Sequence, residues 1–269
     1  MPDLAVRKLI PVEKDTGIRF LTLVSSLTRG GTERAAVNYA LGYHRAGFPS
    51  AVFAYYGSGP REALLRAEGI PVFLGSNDQA EFARATDEAR AWAPDILHLH
   101  RRGLADSPPA ETLRGLIHPR LRVFETNVFG YVDASADRVM IHLHLQLSRW
   151  CLWKWTQSIK GLKPRSPSVV VPYAVDTPSF TPATAEERSA SRGEFGIPED
   201  AFVFGRVGQA SPPKWSPVLI AAFDAVSKVK PNAWLAVCGM PYSLNEKSSR
   251  LPENIRSRIV ELPITDSDV

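Results

Sequence analysis

Residues 20–47 read FLTLVSSLTRGGTERAAVNYALGYHRAG, and the succession of textures in this stretch decides the fold class. With Arg19 in front, RFLTLVSSL is apolar and closes on serines, as a buried strand does. Beyond Gly30 and Gly31, the residues Ala36, Tyr39, Ala40 and Tyr43 recur at three- and four-residue intervals, the repeat of an amphipathic helix. Thr32, just past the glycines, is the expected N-cap. A strand, a glycine turn and a helix N-terminus together offer free N–H groups and the positive end of a dipole to an anion. A tight, closely packed turn would have the same sequence, so the stretch alone specifies a βα unit and not a ligand.

Outward from this unit the alternation continues. SAVFAYYG reads as a strand, PREALLRAEG as a short helix with Pro60 near its start, and IPVFLG as a brief strand. QAEFARATDEARAWAP is a helix that stops before Pro94, and DILHLH is a strand. LRVFETNVFG and DRVMIHLHL also read as strands, followed by LSRWCLWKWTQSIKGL as a helix and PSVVVPYAVD as a strand. Such alternation implies a parallel sheet covered on both faces, with ligands bound beyond the C-terminal strand ends. The Pro-, Thr-, Ser- and charge-rich TPSFTPATAEERSASRGEFGIPED then reads as a connector holding one short helix. After it the alternation restarts with AFVFGRVG, SPVLIAAFDAVSKVKP, AWLAVCG, LPENIRSR and IVELP. The expected organisation is a tail over 1–17, a Rossmann-like domain over 18–180, a connector over 181–200 and the start of a second α/β domain over 201–269. That last segment, about 70 residues, is roughly half of an ordinary domain, so a fragment or truncated record is expected.

Composition bounds the partners. Hydrophobic content of 44% with 22% charged residues suits a soluble globular protein. The net charge of +4 comes from scattered Lys and Arg, which speaks against nucleic acid and leaves an anionic substrate or an anionic membrane surface. Cys151 and Cys238 are too few and too far apart for a metal knuckle, and a reduced cytoplasm is the simpler context. The opening MPDLAVRKLIPVEKDTG lacks the form of a signal peptide, and no apolar run reaches the roughly 20 residues that span a bilayer. A cytoplasmic location is expected, with peripheral contact at the inner membrane face left open.

GGTERAAVNYALGYHRAG, PDILHLH, VVVPYAVDTPSFTP and GIPEDAFVFGRVGQASPPKWSPVLIAAFDAV follow one another at intervals that carry a resemblance. Over most of residues 18–265 the chain resembles the retaining glycosyltransferases of family 4, whose GT-B fold sets two Rossmann-like domains facing a cleft. The resemblance implies an acceptor domain first and a nucleotide-sugar domain second. It implies transfer of a hexose from a nucleoside diphosphate sugar to a glycan, lipid-linked or other hydroxyl acceptor, with retention, no cofactor and no obligatory metal. Polysaccharide, cell-wall or glycolipid assembly would be the setting. Gly30, Gly31 and Thr32 would then approach the donor diphosphate. Lys214 stands where the family has a lysine that stabilises the departing diphosphate. Gln209 holds the place of the family's arginine, and Arg206, three residues earlier, is the available substitute. Asn127, beside Glu125 and Thr126, holds the place of a histidine that contacts the transferred sugar. Gln209 carries no charge and Asn127 cannot be protonated, and both departures bear on activity. The family's Glu-x7-Glu element has no counterpart in context: Glu186 with Glu194 and Glu253 with Glu261 match only in spacing. That element is expected beyond Val269, so residues 1–269 alone are expected to be inactive.

Other constellations point elsewhere. His98 with His100, and His142 with His144, form H-x-H pairs on expected strands, where period two puts each pair on one face. A metal-dependent hydrolase is the alternative enzyme, although no acidic ligand follows at a matching strand end. A non-catalytic nucleotide-binding or scaffold relative is the third reading, favoured by Gln209 and Asn127. GGTER does not complete G-x-G-x-x-G, which speaks against a nicotinamide-dependent dehydrogenase. Trp150, Trp153 and Trp155 beside Arg149, Lys154, Lys160 and Lys163 have the composition of a helix that dips into a membrane surface, with core packing the preferred reading.

Overall fold

The structure, a computed structural model, describes residues 17–101, 114–132, 141–159, 166–175 and 180–264. The tail up to residue 16, Lys160, Lys163, the opening of DRVMIHLHL and residues 265–269 lie outside the described residues. The chain divides into two compact units, Met1–Ser179 and Phe180–Val269.

In the first unit the apolar runs become strands β1 (Phe20–Val24), β2 (Ser50–Ala54), β3 (Val72–Leu74), β4 (Ile96–Arg101), β5 (Arg122–Asn127), β6 (Leu143–Gln146) and β7 (Ser168–Val170). Helices α1 (Gly31–Arg45), α2 (Glu62–Ala67), α3 (Gln79–Ala91) and α4 (Arg149–Ser158) lie between them. The strands form one parallel sheet in the order β3-β2-β1-β4-β5-β6-β7. Every residue of β1 and β2 is buried, because both faces of the sheet are covered and alternation is not needed. On one face Leu21, Leu23, Phe53, Leu97, Leu99 and Val123 meet Ala85 and Ala89 of α3. On the other, Val24, Val52 and Ala54 meet Ala36, Val37 and Ala40 of α1. The order reverses between β1 and β4, so their carboxyl ends flank a topological switch point, where open α/β sheets bind ligands.

The second unit opens with α5 (Ala185–Glu194), a helix with no buried residue that is started by a capping box between Thr184 and Glu187. Strands β8 (Phe202–Val207), β9 (Ala233–Cys238) and β10 (Ile259–Leu262) form a parallel sheet in the order β10-β9-β8. A 3-10 turn, Pro212–Lys214, and helices α6 (Val218–Val229), α7 (Tyr242–Ser248) and α8 (Glu253–Arg256) complete it. Trp215, Ile220, Phe223, Leu235, Val237, Leu244 and Ile255 make its core. Helix α7 is absent from the sequence reading, because Leu244 and Ser248 are its only buried residues and leave no apolar repeat to detect.

One local expectation is corrected. The N-cap of α1 is Gly30, not Thr32, which lies buried inside the first turn. Glu33, three residues after Gly30, folds its carboxylate back over that glycine, where a side chain would otherwise stand. The start of α1 is therefore organised by an acidic residue in the first turn rather than by a capping hydroxyl.

Candidate functional site

The loop from Ser25 to Gly30 leaves the carboxyl end of β1 and enters α1. It is tied from outside. Buried Arg61 donates from Nη1 to the carbonyls of Thr28 and, at 3.2 Å, Gly30. Gly59 lies so close to the backbone of Leu27 and Thr28 that a Cβ there would overlap it. Ser25 Oγ donates to Glu33 Oε1 at 3.2 Å, and the other oxygen of this buried carboxylate has no hydrogen-bond partner among the described residues. A Cβ on Gly30 would meet the Glu33 carboxylate, the flexible end of a side chain, which would have to shift aside. Gly31 differs: it is exposed, its φ is ordinary, and an added Cβ would meet nothing within 4 Å. The first helical bond runs from Arg34 N–H to Gly30 C=O at 3.0 Å, which leaves the N–H groups of Gly31, Thr32 and Glu33 for other acceptors. Next to Thr32 and Glu33 stands Tyr173, whose phenol is pushed up to about 12 by burial and by the neighbouring Tyr39 and Glu33.

At the other side of the switch point, β4 places His98 and His100 under α1. The Tyr43 hydroxyl meets His98 Nδ1 at 2.9 Å, and Thr126 Oγ1 meets His98 Nε2 at 2.8 Å. Burial pushes His98 down to about 3 and, with His98 as neighbour, holds His100 well below the usual histidine range. His100 packs between His98 and Tyr39, with ring centroids at 4.2 and 5.3 Å, and neither of its nitrogens has a partner among the described residues. The H-x-H pair is thus a neutral, buried pair. His142 Nδ1 accepts from Val123 N–H at 3.1 Å, and His144 pairs with Glu125. Among the described residues no group of three His, Cys, Asp or Glu side chains is placed to hold a metal.

The opposite face of β4, β5 and β6 carries a buried ionic network that the sequence reading did not contain. Arg101 Nε donates to Glu125 Oε1 at 2.5 Å, and His144 Nδ1 donates to Glu125 Oε2 at 2.5 Å. An ionised carboxylate only accepts, so the proton of this pair sits on His144 Nδ1. Burial alone would raise the Glu125 carboxyl, but His144 and Arg101 outweigh it and hold it below the usual range. The signal was non-local: only the strand register, Leu99 opposite Glu125 opposite His144, brings these side chains to one face.

Asn127, at the end of β5, uses both ends of its amide on the following turn. Oδ1 accepts from Gly130 N–H at 2.8 Å, and Nδ2 donates to the Tyr131 carbonyl at 2.6 Å. Gly130 has φ +64°, and a Cβ on it would run into the carbonyl of Cys151. Gly130→Ala is expected to cost about 2 kcal/mol, read as a lower denaturation midpoint, since strain and collision coincide there.

In the second unit, the loop after β8 brings Arg206, Gln209 and Lys214 together. Arg206, on β8, donates from Nη2 to the Lys214 carbonyl at 2.8 Å, with its guanidinium 5.2 Å from the Trp215 ring centroid. Buried Trp215 donates from Nε1 to the Gln209 carbonyl at 2.7 Å. Gln209 therefore shapes the loop through its backbone, while its side chain is exposed. Lys214 is exposed, and its ammonium makes no ion pair or hydrogen bond among the described residues. Arg206 acts here as a brace for the turn that presents Lys214. Gly30, Gly31, Thr32 and Asn127 belong to the first unit, and Arg206, Gln209 and Lys214 to the second.

Neither a protein-family model nor a curated protein matches the chain. Solved structures do. A glycosyltransferase from Rickettsia africae superposes with a TM-score of 0.69 at 16% identity, over 93% of this chain and 69% of that one. WaaG, a glycosyltransferase involved in lipopolysaccharide biosynthesis, gives 0.54 at 14% identity, over 93% and 70% of the two chains. A UDP-GlcNAc 2-epimerase from Neisseria meningitidis, bound to UDP-GlcNAc, gives 0.53 at 11% identity, over 93% and 73%. At these identities the likeness is one of fold, and the fold is α/β of the GT-B type, a parallel Rossmann-like sheet followed by a second.

Proposed function

We propose that this protein transfers a sugar from a nucleoside diphosphate sugar to a hydroxyl of a glycan or lipid-linked acceptor, with retention of configuration. The observation that carries the reading is Gly31: nothing among the described residues needs a glycine there, and the close approach of a diphosphate to the backbone would. In this reading the first-turn N–H groups of Gly31 and Thr32 face the donor diphosphate. Lys214 supplies the positive charge that grows in value as the diphosphate departs. Arg206 holds the turn under it, and Gln209 offers a neutral hydrogen bond where a second cation would stand. The acceptor oxygen bonds to the anomeric carbon on the face from which the diphosphate leaves, as the bond from that carbon to the diphosphate oxygen breaks, and the hydroxyl proton passes to the departing diphosphate oxygen without a metal. Asn127 stands toward the transferred sugar, its amide holding the Gly130 turn there. The metal-dependent hydrolase has no support in His98 and His100, since both nitrogens of His98 already have partners.

Two substitutions test it in the intact protein, with nucleoside diphosphate release and product formation as readouts. Lys214→Ala should lower kcat/KM about a hundredfold, ~2.7 kcal/mol at the barrier, with an unchanged melting temperature. Gly31→Ala should leave stability equal or up to about 1 kcal/mol higher, because alanine favours a helix, while turnover falls. Unaltered turnover in both folded variants would rule these roles out. Donor consumed as a free epimerised sugar, with no transfer to any acceptor, would favour the chemistry of the epimerase neighbour instead.

A further inference from the structure

We infer that the face of α4 carrying Trp150 and Trp153 docks the first unit onto an anionic lipid bilayer. The sequence favoured core packing for this helix; the structure divides its tryptophans. Trp155 is buried and packs on His144, with ring centroids 5.0 Å apart, and Cys151, one turn earlier, is buried too. Ser148 caps the helix, its Oγ accepting from Cys151 N–H at 3.1 Å. These anchors set the rotation of the helix, and at three- to four-residue spacing they turn Trp150 and Trp153 outward. Trp150 and Trp153 are 59% and 58% exposed. Exposed Phe129 and Tyr131, from the turn after β5, lie beside them, and Lys154 binds the group together. Its ammonium stands 3.4 Å from the Tyr131 ring centroid and 5.2 Å from that of Trp150.

The chemistry around these rings selects the partner. Asp133 and Asp137 follow Tyr131 in sequence, but no Asp or Glu occurs from Val139 to Val175, and Arg149 and Lys154 lie on α4 itself. A sugar platform needs carboxylates or amides beside the rings to read hydroxyl groups. Here the Asn127 amide is committed to its own turn, and the hydroxyls of Thr156 and Ser158 bond to the α4 backbone. Among the described residues of this patch what remains is indole, phenol and cation, the set that settles at a lipid headgroup layer, aromatic rings in the boundary and lysine on the phosphates. Asn127 bonds to the Tyr131 carbonyl, so the patch adjoins the carboxyl edge of the sheet. Docking would therefore bring that edge to a bilayer.

The inference stands apart from the transfer reading, because vesicle binding needs neither donor nor acceptor. Co-sedimentation of the whole protein with vesicles of phosphatidylcholine alone, and of phosphatidylcholine mixed equally with phosphatidylglycerol, tests it. Binding is expected to the mixed vesicles, with weakening as salt rises and a blue shift of tryptophan fluorescence. Trp150→Ser with Trp153→Ser should weaken binding at least about tenfold, and Lys154→Gln about fivefold. Both indoles are exposed, so the double variant should keep the parent's circular dichroism and melting temperature. Absence of binding, equal binding to neutral vesicles, or parent-like binding by the folded double variant would overturn the inference. So would fluorescence quenching by a soluble neutral oligosaccharide without vesicle binding, which would make the patch a sugar platform.

Discussion

Glu125→Gln is expected to lower the stability of the first unit by about 3 to 5 kcal/mol, against about 5 to 15 kcal/mol for a whole folded protein. The carboxylate is buried between Arg101 and His144, each at 2.5 Å, and Arg101 is only 4% exposed. Glutamine keeps the shape and one acceptor but removes the buried negative charge that Arg101 and His144 both face. A denaturant titration reading the first unit would show a lower midpoint with the slope preserved. If the single variant fails to fold, Glu125→Leu combined with Arg101→Met should recover folding, because both buried charges are then replaced by apolar groups together. A loss below about 1 kcal/mol in Glu125→Gln would mean that water reaches the pair and that the network is not a buried one.

Acid should act through the other face of the same strands. His98 is pushed down to about 3 by burial, and His100 is held well below the usual range by burial and by His98. In the unfolded chain both take up protons near pH ~6.5, so between that pH and about 3 the unfolded state binds more protons and stability falls as pH falls. His98 contributes about 1.4 kcal/mol per pH unit in that window, so it should remove about 3 kcal/mol by pH ~4.5, and His100 acts in the same direction. Glu125 acts in the same direction lower down: its carboxyl is held below the usual range, so its contribution is lost as pH falls through the folded-state value. His100→Phe should lower the slope between pH ~6 and ~4.5 while keeping neutral-pH stability, since neither ring nitrogen of His100 has a partner to lose among the described residues. A denaturation midpoint flat across that range in the parent protein would refute this account.

The α/β alternation was legible because these strands are buried on both faces and read as continuous apolar runs. Lys214 was singled out only through the family resemblance; the structure leaves it exposed, with no ion pair among the described residues. What stayed hidden depends on register and rotation. Arg101, Glu125 and His144 are far apart in sequence and meet only through strand pairing. Trp150 and Trp153 look like core residues by spacing, and only the anchoring of Trp155 and Cys151 shows which way α4 is turned. Glu33 was within reach of the sequence, since an acidic residue three places after a glycine cap is a helix-start signal. It yielded to Thr32, whose hydroxyl is the commoner cap.

The clamp on the Ser25–Gly30 loop by Arg61 and Gly59 has a thermodynamic consequence. Restricting a backbone residue takes about 1 to 2 kcal/mol of entropy, and here that loss falls on folding rather than on ligand capture. An anion arriving at the first turn of α1 finds N–H groups already aimed, so its association should carry little ordering entropy. Backbone NMR order parameters across Thr28–Gly31 should then be those of rigid backbone in the unliganded protein and rise only slightly on saturation. Arg61→Ala would move that penalty from folding to binding: the loop's order parameters would fall when empty, and the affinity would weaken with a more unfavourable entropy and the same contacts.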